Sequence, residues 1–200
     1  MQLIENLFGS RGRIKVLKEL SRHKGWWFNL SELSKDMVVN KGALSKILDC
    51  LEKENLVVLN RKGKIKLFRL NEESIFVIRV VLPAFKLEEE LFKDIKQRII
   101  APFSKNAISI ILYGSYAKGT EKLQSDIDVM VITKRKCEEK CKNIANKLSS
   151  DFLNKGLLLR ADVINENDFK KIYLQREPSI LSIVETGVAI NGRDIRELVK

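Results

Sequence analysis

Residues 114–131 read GSYAKGTEKLQSDIDVMV. They follow an apolar run, Ala107 to Tyr113, that predicts a buried strand. Gly114 and Ser115 then turn the chain, and a glycine at that place lets backbone amides approach a phosphate closely. The Ser115 hydroxyl can donate to the same group. A second strand follows in IDVMVIT. Asp126 and Asp128 are two apart, a spacing that points both carboxylates to one face of a strand. Adjacent carboxylates repel and lose hydration unless a cation lies between them. Magnesium, which prefers hard oxygen ligands, is the simplest such cation. The alternative is a solvent-facing strand end. As a lone turn Gly-Ser carries no information, but beside a carboxylate pair it matches the layout of phosphoryl or nucleotidyl transfer.

Moving toward the C-terminus, LLLRADVI spans Leu157 to Ile164 with Asp162 in the middle. A charge inside an apolar strand is costly. Asp162 is either an edge position or a third carboxylate closing the site from a neighbouring strand. In the second case two magnesium ions on Asp126, Asp128 and Asp162 would activate a hydroxyl and steady a leaving pyrophosphate. Asp162 is also placed to take the proton of that hydroxyl. Between the acidic strands, residues 133–155 predict a Lys-rich helix, either a solvated face or an acceptor surface. DFKKIYLQ and PSILSIVETG then read as helices, the second started by Pro178 and ended by Gly187.

The stretch resembles the DNA polymerase beta-like nucleotidyltransferases, most of all their minimal prokaryotic members. Strand, Gly-Ser turn, spacer and Ser-Asp-x-Asp strand all line up, over about residues 103–195. The resemblance implies a small mixed sheet flanked by helices, with magnesium on Asp126, Asp128 and Asp162. It also implies a nucleoside triphosphate, ATP foremost, held at Gly114, Ser115, Lys118 and Ser125. Relatives move a nucleoside monophosphate onto a hydroxyl of a drug, a nucleic acid end or a protein, and some act on a HEPN-type toxin. Two departures stand out. Tyr116 replaces a frequent Arg, and Lys118 replaces another, keeping charge but not the bidentate fork.

Toward the N-terminus, residues 75–100 predict one or two helices. Pro83 is suited to a helix start and Pro102 to an end. The stripe Phe85, Leu87, Leu91, Phe92, Ile95, Ile99 is too apolar for a free linker, and packs on one domain, on both, or on a second copy in a homodimer. Earlier still, Ile14, Val16, Leu17 and Leu20 mark a helix. Asn29 or Ser31 caps a short helix, SELSKDM. Asn40 caps a longer one bearing Leu44, Ile47, Leu48 and Leu51. LVVLNRKGKIKLFRL then reads as two strands, with Ile65, Leu67 and either Phe68 or Leu70 alternating inward around a Lys62-Gly63 tip. Helix, short helix, longer helix and basic hairpin form the order of a winged helix-turn-helix. Lys41, Ser45 and Lys46 on the third helix, with Arg61, Lys62, Lys64, Lys66 and Arg69 on the hairpin, are candidate duplex DNA contacts, mainly to phosphates. Residues 8–72 resemble bacterial and archaeal regulators of the ArsR and MarR kind. Such modules bind DNA or serve purely structural roles.

The reading is therefore an α/β chain of α+β type. A winged helix-turn-helix (1–74) leads through a connecting helix (75–102) to a nucleotidyltransferase fold (103–200). Net charge is +11, and residues 1–80 carry +7 of it, with 16 basic against 9 acidic side chains. Such a surface attracts polyanions. No apolar run reaches the length of a membrane span, so the expectation is a cytoplasmic protein without a membrane partner. The three cysteines, with His23 the lone histidine, lack the spacing of a zinc site, and Cys50 is expected in the core. Two functions remain: magnesium-dependent transfer to an unidentified hydroxyl, coupled to DNA binding, or a DNA-binding transcriptional regulator whose second domain senses nucleotide or is inactive.

Overall fold

The computed structural model describes residues 10–122 and 124–199. Residues 1–9 of the expected first domain, and Leu123 and Lys200 of the expected third segment, lie outside the described residues. The architecture is mixed α/β, with two compact units that divide between Leu91 and Phe92.

In the first unit, α1 (Arg11–Arg22) buries Val16, Leu17 and Leu20. A two-residue strand, β1 (Phe28–Asn29), leads into α2 (Leu30–Asp36). Asn29 caps α2 by accepting from the amides of Ser31 and Glu32, while the Glu32 carboxylate accepts from the Asn29 amide. This reciprocal pairing satisfies amides that a helix start leaves without partners. Asn40 caps α3 (Lys41–Lys53) through the amides of Gly42 and Ala43. Leu44, Leu48 and Leu51 of α3 face the core.

The hairpin consists of β2 (Val57–Lys62) and β3 (Ile65–Leu70), and the sheet order is β1-β3-β2. The inward residues of β3 are Phe68 and Leu70, while Ile65 is exposed. The alternation thus runs in the opposite phase from that expected for Ile65 and Leu67. Cys50 is exposed rather than in the core.

A π-helical turn (Val77–Val81) runs directly into α4 (Leu82–Phe103). Pro83 therefore does not begin a helix. Its ring and missing N–H disfavour a regular preceding turn, and a widened turn relieves that conflict. Pro102 likewise sits inside the last turn of α4.

The second unit is built on β4 (Ala107–Tyr113), β5 (Ile127–Thr133), β6 (Leu159–Asn165) and β7 (Val188–Gly192), in the order β6-β5-β4-β7. β4 is antiparallel to β5 and β7, and β5 is parallel to β6. The short helix α5 (Gly114–Lys118) follows β4. α6 (Glu138–Leu153) joins β5 to β6. α7 (Glu166–Leu174), α8 (Pro178–Thr186) and α9 (Ile195–Leu198) complete the unit. Alternation along the strands sends Ile110, Leu112, Ile127, Val129 and Val131 to one face, against Cys141, Ala145, Leu148 and Phe152 of α6 and Ile95, Ile99 and Phe103 of α4. Ile111, Met130 and Ile132 face the other way, against Phe169, Ile180, Ile183, Ile195 and Leu198. No described helix is long and apolar enough to cross a membrane.

Candidate functional site

Register places the chemistry on the second of these faces. Tyr113 pairs with Asp128 across β4 and β5, and Asp128 pairs with Arg160 across β5 and β6. Met130 pairs with Asp162 one step further on. Directly paired residues share a face, and so do residues two apart. The end of β4 and the beginnings of β5 and β6 thereby gather Tyr113, Asp126, Asp128, Arg160 and Asp162.

Polar contacts link these groups. The Tyr113 hydroxyl donates to Asp162 Oδ2 at 2.7 Å. Arg160 Nη2 donates to Asp126 Oδ2 at 3.1 Å, and its Nη1 lies 3.9 Å from Asp128 Oδ1. Burial raises the Asp128 carboxyl above the usual carboxylate range; Arg160 opposes that shift, and the charges of Asp126 and Asp162 add to it. Tyr113 is raised well above an ordinary phenol, first by burial and then by its hydrogen bond to Asp162. Negative charge is therefore in excess on this face.

Gly114 is required twice. Its φ is +70°, and a Cβ there would collide with the Asp128 carboxylate. The carboxylate thus lies directly against the Gly-Ser turn. Ser115 sits in the first turn of α5, and its carbonyl accepts from the Thr120 amide. The Ser125 hydroxyl accepts from the Lys122 amide at 2.8 Å and closes the turn before β5. Lys118 is exposed at the end of α5 and lines a cleft of about 310 Å³ with Tyr113, Gly114, Asp162 and residues of α8. A second cleft, about 460 Å³, takes in Asp126, Arg160 and Asp162 with Asn146, Ser149 and Ser150 of α6.

Among the described residues, no three acidic, cysteine or histidine side chains are gathered closely enough to hold one ion. Asp126 and Asp128 turn toward Arg160 and Asp162 toward Tyr113. The donor set nevertheless suits magnesium: hard carboxylate oxygens on one face, with more negative charge than Arg160 balances. Sequence reasoning missed both Arg160 and Tyr113. Arg160 stands two residues before Asp162, the spacing that puts both on one face of β6, and that signal was available. Tyr113 looked like the last core residue of β4.

In the first unit, Lys46, Arg61, Lys62 and Lys64 are exposed. Lys41 is exposed too, with its ammonium 3.0 Å from Ser31 Oγ. Ser45 is half-buried on α3. Lys66 reaches back to Asp49 of α3 at 3.4 Å. Arg69, the remaining hairpin cation, lies over the Trp27 ring, 4.8 Å from its centre.

The family model described as "Polymerase beta, Nucleotidyltransferase" matches residues 97–196. No curated protein matches the chain. Solved structures similar to it include reduced HlyU from Vibrio cholerae N16961, at 20% identity over 44% of this chain and 97% of that one, with a TM-score of 0.35. The winged helix-turn-helix DNA-binding domain Mb0332 from Mycobacterium bovis, a possible ArsR-family regulator, is 18% identical over 44% of this chain and 76% of its own, with a TM-score of 0.37. A toxin–antitoxin structure with AMP-PNP is 22% identical over 52% of this chain and 80% of its own, with a TM-score of 0.35.

Proposed function

The chain belongs to the polymerase beta nucleotidyltransferase family, by its residues 97–196, and from that premise we propose a duplex-DNA-binding protein whose second unit takes up a nucleoside triphosphate, ATP foremost, with magnesium. The DNA half rests on the helix order of the first unit, with Lys41 and Lys46 on α3 and Arg61, Lys62 and Lys64 on the hairpin all exposed. Gly42 and Ala43 at the start of α3 offer little to base edges, so the contacts are mainly to phosphates and serve regulation through position rather than strong sequence reading.

The nucleotide half rests on the approach of Asp128 to the Gly114 turn. Asp126 and Asp128 would hold magnesium, and Gly114, Ser115 and Lys118 the phosphates. Magnesium, when bound, neutralises the triphosphate and its leaving group.

One observation favours actual transfer: Tyr113 holds Asp162 on the same face as the other two carboxylates. In that reading Asp162 takes the proton of an acceptor hydroxyl. The acceptor oxygen bonds the α-phosphorus as the bond to the bridging oxygen breaks, and pyrophosphate leaves.

Two measurements test these halves separately. Duplex DNA affinity, followed by fluorescence anisotropy against salt, is expected to fall steeply. The combined Arg61→Ala, Lys62→Ala, Lys64→Ala variant is expected to flatten the log–log slope by roughly 2–3. An unchanged slope removes the hairpin from DNA binding. Calorimetry with a non-hydrolysable ATP analogue is expected to give magnesium-dependent binding that Asp128→Asn weakens and Asp162→Asn largely spares. No binding of ATP, GTP, CTP or UTP analogues would reject the nucleotide half.

A further inference from the structure

Arg160 bridges two carboxylates from an exposed position. One guanidinium nitrogen lies 3.1 Å from Asp126 and the other 3.9 Å from Asp128, so a single side chain engages both. The two sides of this contact differ in freedom. The Asp128 side chain is 17% exposed and lies against the Gly114 backbone, whereas the Arg160 side chain is 64% exposed. Arg160 also belongs to β6, an edge strand of the sheet, and lines the 460 Å³ cleft. An exposed ion pair of this kind is weak, worth far less than a well-coordinated divalent ion.

We propose that Arg160 is a resident counter-charge that competes with a divalent cation for Asp126 and Asp128, and that it yields both carboxylates when the cation binds. The inference rests on the reading of Asp126 and Asp128 as magnesium ligands. It explains why the carboxylates stay paired on one face despite their repulsion. It also gives the displaced guanidinium a place beside the same cleft, where a phosphate or a polar acceptor would meet it.

The test uses Mn²⁺ alone, without nucleotide, titrated calorimetrically into the full chain. Wild type is compared with Arg160→Gln and Arg160→Ala, two substitutions at an exposed position, so that a folding defect in one leaves the other. Circular dichroism checks each fold. Removing the competitor is expected to tighten Mn²⁺ binding by roughly two- to five-fold, the range set by a surface ion pair. In an Asp126→Asn background the same Arg160 substitution is expected to change binding less, because only the longer contact to Asp128 remains. Detectable binding by the Arg160 variants but not by wild type would also support competition. Equal or weaker binding by the variants, with wild type binding Mn²⁺, overturns the role of Arg160 and leaves the metal-site reading standing. No Mn²⁺ binding by any of the proteins overturns both.

Discussion

Gly114 carries the tightest constraint in the candidate site. Its left-handed backbone suits glycine, and the Asp128 carboxylate fills the space that a Cβ would need. Gly114→Ala is therefore expected to lower stability by about 1–3 kcal/mol and to displace Asp128. Thermal unfolding in a calorimeter measures the loss, and an unchanged midpoint would mean that Asp128 retreats freely. Asp128 itself titrates above its ordinary range, chiefly through burial. The folded state then holds the proton longer than the unfolded chain does, so stability falls as pH rises from the unfolded pKa through the folded one. Above that window ionised Asp128 opposes folding, and below it the penalty vanishes. Without divalent ions, Asp128→Asn is expected to raise the melting midpoint at pH 7 by no more than about 1–2 °C, because the group is still partly wet. The gain should disappear in acid below the unfolded carboxylate pKa. A gain that persists there would assign the effect to packing.

Among the elements, α2 depends on a small reciprocal cap. Asn29 serves two amides and receives support from Glu32, and the same residue pairs with Leu67 of β3 through β1. Asn29→Ala is expected to cost about 1 kcal/mol in chemical unfolding, near the typical value for a lost cap. A loss of under a few tenths would show that β1 alone fixes the start of α2. The sequence left the cap between Asn29 and Ser31, and the Glu three residues after Asn29 is the local signature that favours the first. β1 was not legible, since two residues give no period and the strand exists only because β3 pairs with it. The phase of β3 was also hidden: Ile65 and Leu67 alternate as well as Phe68 and Leu70 do with their neighbours, and the core of the first unit selects the latter pair.

At the scale of the molecule, the division between Leu91 and Phe92 falls within α4. Ile95, Ile99 and Phe103 from its second half are buried in the second unit's own core, Ile99 fully. A truncated chain beginning at Phe92 is thus expected to unfold cooperatively, as seen by circular dichroism. One beginning at Ala101 loses Ile95 and Ile99, and the removal of each large buried side chain costs about 2–5 kcal/mol. The shorter chain is expected to melt at a clearly lower temperature or to remain unfolded. Equal midpoints would show that α4 contributes little to that core.

The sequence by itself determined the helix stripes of the first unit, the Asn40 cap, the buried strands β4 and β5, and the spacing that puts Asp126 and Asp128 on one face. Each of these is a local matter of period, backbone freedom or an amide needing a partner. Tertiary structure alone decided that Arg160 bridges Asp126 and Asp128, that Tyr113 holds Asp162, that Lys66 turns to Asp49 and that Ser125 closes its own turn. Which long side chain meets which carboxylate follows from the register between strands distant in sequence and from the space left by their neighbours, and neither is written in the period of a single segment.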